Sequence, residues 1–80
     1  MASFGQVAIS DVWTMLKACA PGHIIKEHTH HYCILFAGKS YPSFPTGGHG
    51  KSDPHIQRGH VNRMARFFGI LDCARQHLQI

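Results

Sequence analysis

Apolar residues recur at helical spacing near both ends of this chain, and between them the pattern turns extended and aromatic. Val12, Leu16 and Cys19, with Trp13 and Ala20 alongside, recur every three to four residues, which predicts a helix over residues 11–20. Ser10 stands where an N-cap belongs, Asp11 favours the first turn, and Pro21-Gly22 ends the segment. Such a helix turns Val12, Trp13, Leu16 and Ala20 toward a core and Lys17 toward solvent, so Trp13 is read as packing. The β-branched pair Ile24-Ile25 predicts a strand over residues 23–27, and the aromatic and aliphatic run from His31 predicts a second over 31–36. Ala37-Gly38-Lys39-Ser40 is a turn signal, after which Tyr41, Phe44 and Thr46 continue an extended segment. Pro42 and Pro45 have no N–H to give a ladder, so this third strand is expected to be short, irregular or at an edge.

Residues 46–52 form a glycine-rich stretch expected to be a mobile, solvent-facing loop. A second helix follows. Asp53 with Pro54 is one start for it, but Gly59 weakens a helix interior and favours a start at Gly59 itself, after an irregular turn. Val61, Met64, Ala65 and Phe68 are its apolar stripe, Arg58, Asn62, Arg63 and Arg66 fall largely on the other side, and Gly69 stops it. Leu71, Ala74, Arg75 and Leu78 allow a short closing helix within residues 70–80. The expected fold is therefore α+β, with the order α-β-β-β-α. It is one domain over residues 1–80, a three-stranded antiparallel sheet with two helices packed on one face.

Composition narrows this picture. Eighty residues hold one small core, and 44% hydrophobic against 15% charged residues fits a folded chain. Eight Lys and Arg against four Asp and Glu give a net charge of +4, which suits a polyanionic partner or simply confers solubility. Cys19, Cys33 and Cys73 include no Cys-x-x-Cys pair, so neither a disulfide framework nor a zinc ribbon is expected. Reduced, buried thiols in a cytoplasmic protein are the default reading. The N-terminus lacks the pattern of a signal peptide, and no apolar run reaches membrane-spanning length.

The densest chemistry lies in Lys26-Glu27-His28-Thr29-His30-His31-Tyr32, because imidazole alone among side chains ordinarily exchanges its proton near neutral pH. Alternate residues of a strand share a face, so His28 and His30 could share a metal ion. Further ligands among His49, His55 and His60 follow no regular spacing, and no metal is assigned. Gly50-Lys51-Ser52 has the ending of a phosphate-binding P-loop, but Pro45 stands where that motif needs its first glycine, so nucleotide hydrolysis is set aside. Lys51, Arg58, Arg63 and Arg66 lie in one loop-helix segment, suited to a sugar-phosphate backbone or to a solvated helix face.

In the order and spacing of three elements the chain resembles the HicA (YcfA-like) mRNA interferases. The elements are His28-Thr29-His30-His31-Tyr32, then Ile56-Gln57-Arg58-Gly59 at the start of the second helix, then Phe68-Gly69-Ile70 at its close. His28 departs from the family, which usually has glycine there, and the 46–53 loop is richer in glycine. The resemblance implies a fold similar to the double-stranded-RNA-binding domain, cleavage of mRNA without a cofactor, and inhibition by a HicB-like antitoxin. It makes His30, read as borne on a strand, the catalytic residue. As a general base, His30 would deprotonate a ribose 2′-hydroxyl for attack on the adjacent phosphate, with Lys26, Lys51, Arg58, Arg63 and Arg66 as RNA contacts. Two other readings use the same residues: an RNA-binding module without catalysis, and a histidine-rich metal-binding or interaction protein.

Overall fold

The computed structural model describes residues 5–46 and 53–80. Along the chain run β1 (Gln6–Ala8), α1 (Ile9–Cys19), β2 (Ile24–Glu27), β3 (His31–Phe36), β4 (Lys39–Pro45), β5 (His55–Gln57), α2 (Arg58–Phe68) and α3 (Leu71–His77). β2, β3 and β4 make the expected antiparallel sheet, with β3 central. The α-β-β-β-α order expected from the sequence runs from α1 to α2. β1 and β5, a separate antiparallel pair, and the closed turn of α3 complete the mixed α+β fold.

The register separates the two sheet faces. Ile25 opposite Ile34, Glu27 opposite Tyr32, and Phe44 opposite Tyr32 lie on one face; Ile24 opposite Leu35 and Lys26 opposite Cys33 lie on the other. The first face is the core. Ile34 and Phe44 are fully buried there with Val12, Met15 and Leu16 of α1 and Val61, Met64 and Ala65 of α2. Trp13 packs edge-on against Tyr32 at 5.1 Å between ring centroids, and Phe68 packs edge-on against Phe36 at 5.9 Å. Both helices therefore cover the same side of the sheet, and Trp13 is a packing residue as expected. Among the described residues the other face carries no helix, and Ile24 is 55% exposed on it.

Pro42 and Pro45 do confine β4 to an edge, though it extends over seven residues. Between Tyr32–Phe44 and Ile34–Tyr41, Pro42 and Ser43 together oppose Cys33, a bulge that accommodates the missing N–H. Ala37 and Gly38 form the two-residue turn into β4, both at positive φ (54° and 79°), the backbone that matches the twist of a hairpin. At the end of α2, Gly69 takes φ 74°; its N–H bonds to the Arg66 carbonyl and that of Ile70 to the Ala65 carbonyl. This is a Schellman ending, which needs a residue free of a Cβ at Gly69 and an apolar one at Ile70.

Three expectations are corrected. Ser10 is not the N-cap of α1: the helix starts at Ile9, whose N–H bonds to the Pro54 carbonyl (2.9 Å), while the Asp53 carboxylate accepts from the Ser10 N–H (3.1 Å) and hydroxyl (2.9 Å). The donors at the helix start are met by a segment more than forty residues away, which no local signal reveals. The β1–β5 pair was not foreseen, because three-residue strands leave no readable alternation. The thiols are not all reduced: Cys19, at the end of α1, is joined to Cys73 in α3 by a disulfide, with Cα atoms 5.8 Å apart, and Cys33 is the free cysteine. The two partners meet because α3 packs back on α1. The glycine-rich loop, with Lys51 and His49, falls mostly outside the described residues.

Candidate functional site

His28, Thr29 and His30 connect β2 to β3, and the His28 N–H bonds to the His31 carbonyl (2.9 Å), closing the hairpin. His30 thus lies in an exposed hairpin tip and not on a strand, a correction to its expected placement. The strands end at Glu27 and resume at His31, so the chain reverses through the three residues between them. The rings of His28 and His31 stack across the base of this tip, 4.9 Å between centroids and 23° from parallel. His31, the first residue of β3, shares the helix-free face with Cys33 and Leu35 by alternation, and Lys26 is exposed on that same face.

Behind the tip, His31 is paired with Pro45 at the end of β4. Pro45 lines a cleft of about 240 Å³ with Gln6, His55, Ile56, Gln57 and His60. Gln6 and Gln57 also line a second, polar cleft of about 560 Å³, together with Gly5, Arg58, Gly59, Asn62 and Ile80. Through the shared Gln6 and Gln57 the two clefts follow one another from Pro45, past His55 and His60, to the N-terminus of α2, and form one edge. The β1–β5 pair builds this edge: it fixes Gln57 against Gln6, and the Arg58 N–H bonds to the Gly5 carbonyl at 2.7 Å. His55 and His60, which sequence offered only as ligand candidates without regular spacing, line one cleft with Pro45. Only the fold back of β5 onto β1 brings them there.

The expected phosphate contacts are divided between surfaces. Arg58, Asn62 and Arg66 follow one another at helical spacing on α2, with the Arg66 Nη2 donating to the Asn62 Oδ1 at 3.3 Å. Arg58 and Arg66 are exposed, as is Arg63. Because Val61, Met64, Ala65 and Phe68 hold α2 against the core face of the sheet, these arginines look away from the sheet. Lys26 lies across the sheet on the opposite side. The structure thus groups Arg58 with Arg66 and does not group them with Lys26; Lys51 lies outside the described residues.

Electrostatics shape two neighbouring groups. The Ser10 N–H and hydroxyl hold the Asp53 carboxyl below the usual carboxylate range, with His55 assisting. Burial against Trp13, together with the nearby Glu27 charge, raises the Tyr32 hydroxyl above its usual value, so it stays a neutral donor at physiological pH. Among the described residues, the hairpin histidines do not form a set of three ligands close enough for one metal ion. No described helix is long and apolar enough to cross a membrane. No known family model, curated protein or solved structure matches the chain.

Proposed function

We propose that this protein is a ribonuclease of the HicA type, cleaving mRNA with His30 as general base and without a metal. The observation that supports it is the exposure of His30 at a closed hairpin tip, next to His31, which pairs with Pro45 of the His55–His60 cleft. A ribose 2′-hydroxyl at the tip would lose its proton to the imidazole and attack the adjacent phosphorus. The leaving 5′-oxygen then needs a proton from a second group, and His31, His55 and His60 are imidazoles in that cleft or paired with its Pro45. Cationic or N–H donors would stabilise the charge building on the phosphoryl oxygens, the role given to Arg58 and the first turn of α2. Lys26, Lys51, Arg63 and Arg66 would contact flanking phosphates. The proposal carries with it a cytoplasmic site of action and a HicB-like antitoxin that covers this edge.

The test is RNA cleavage by the disulfide-intact protein in EDTA. A single positioned base contributes about two to four orders of magnitude, so His30→Ala should slow cleavage about 10²- to 10⁴-fold with the thermal midpoint unchanged. Cleavage at the wild-type rate would remove His30 from the mechanism. A second reading, RNA binding without cleavage, is favoured by the Arg58–Asn62–Arg66 stripe, which needs no histidine. Intact RNA held in a complex that weakens steeply with salt would select it.

A further inference from the structure

Cys19, Cys73 and His77 bring one ligand atom each within 4.8 Å of one another. Two separate features produce this grouping. Cys73 and His77 are four residues apart on α3 and so share a face of that helix, and Cys19 is delivered from the last turn of α1 by the packing of α1 on α3. His77 also lines a cleft with Gln6 and His55. In the oxidised protein the two sulfurs are bonded to each other and neither can ligate. Tetrahedral zinc with sulfur at about 2.3 Å and imidazole nitrogen at about 2.0 Å requires ligand atoms about 3.3–3.8 Å apart. The sulfurs must separate and all three atoms reach that spacing; Cys19 and Cys73 are half-buried and His77 is exposed, which leaves their side chains room to turn.

We propose that Cys19, Cys73 and His77 form a redox-gated site for a soft divalent cation of the zinc class. A dithiol reductant transfers two electrons and two protons to the Cys19–Cys73 bond, giving two thiols and the reductant's own disulfide. The cation then binds two thiolates and the neutral His77 imidazole, releasing two protons, with water completing the fourth position. Either state ties α1 to α3: the covalent bond when oxidised, the metal when reduced. The fold thus keeps a clasp at the same place in both redox conditions. The cation is structural here, and the proposal is independent of any action of the protein on RNA.

Cobalt(II) is the probe, because thiolate-to-cobalt charge transfer in the near ultraviolet and visible bands of tetrahedral cobalt report the ligand set. The whole protein is titrated after reduction by a phosphine and, separately, with its disulfide intact. One equivalent should bind to the reduced protein with both signals, zinc should displace it, and the oxidised protein should show neither signal. Cys33→Ser should leave the titration unchanged, while Cys19→Ser should abolish the thiolate signal. Loss of a supporting group near a metal costs about tenfold to a hundredfold in affinity, so His77→Ala, which removes a ligand, should weaken binding by at least about tenfold. If the reduced protein unfolds without metal, zinc should restore its helical circular dichroism and a cooperative melt. Equal binding by oxidised and reduced protein, a cobalt spectrum without thiolate bands, or indifference to His77→Ala would overturn the proposal.

Discussion

Removal of the Cys19–Cys73 bond tests how much of this fold depends on a link between its first and last helices. The two residues are separated by 54 positions, so the bond closes most of the chain into a loop. On the chain-entropy account, restricting the unfolded ensemble by a loop of that length is worth about 4 kcal/mol at 25 °C. A domain of this size has a total stability of only about 4–12 kcal/mol, so the bond is a third or more of the whole. The Cys19→Ala/Cys73→Ala variant removes little packing, since both side chains are half-buried. Guanidinium unfolding followed by circular dichroism, with a chelator present, measures the difference. For a slope of about 2 kcal/mol per molar, the midpoint should fall by about 2 M, and at the lower end of the stability range about half of the variant should be unfolded in buffer. Thiol titration of the native protein should find Cys33 alone reactive before reduction. A midpoint within about 0.5 M of wild type would refute the entropic argument, as would three reactive thiols in the oxidised protein.

Two glycines should respond in opposite directions although a Cβ on either meets no atom within 4 Å. Gly69→Ala forces a side chain into the left-handed region and should cost about 1–2 kcal/mol, or about 4–16 °C in thermal midpoint, whereas Gly59→Ala in α2 should gain up to about 1 kcal/mol. A loss at Gly59 equal to that at Gly69 would show that packing and not backbone conformation governs both. The Asp53–Ser10 link should titrate. Because the folded state holds the Asp53 carboxyl below its unfolded value of about 3.9, its contribution is complete above that pH and disappears as pH falls through the lower folded value. Thermal midpoints of wild type and Asp53→Asn should therefore differ at pH 7 and converge in strong acid; a constant difference across that range would exclude the carboxylate as the cause.

The sheet, the two long helices and their buried faces were legible because each rests on contacts between near neighbours. Val61, Met64, Ala65 and Phe68 repeat with the helical turn, and all four are buried. Gly38 in the hairpin turn and Gly69 at the end of α2 take left-handed backbone that glycine adopts without strain, although Ala37 shares that conformation. Met15 was missed in the core stripe of α1 although its spacing from Val12 fits the same face, a residue whose flexible thioether fills the gap beneath the sheet.

The candidate site was legible only in part. Sequence singled out His30 and the arginines of α2, and their local setting agrees, in that all are exposed. What it lacked was position across the fold: His30 moved from strand to hairpin tip, His55 and His60 came to line one cleft with Pro45, and Lys26 was separated from Arg63 and Arg66 by the sheet.

Local chemistry along the chain is thus enough to specify a three-stranded α+β domain, its turns and its histidine hairpin, since residues a few positions apart settle their conformation whatever lies elsewhere. Only the tertiary structure decides that Asp53 secures the start of α1, that β5 pairs with β1, and that Cys19 meets Cys73 beside His77. Those contacts join residues more than forty positions apart, and their energy is realised only when burial of the common core brings the helices and strands together.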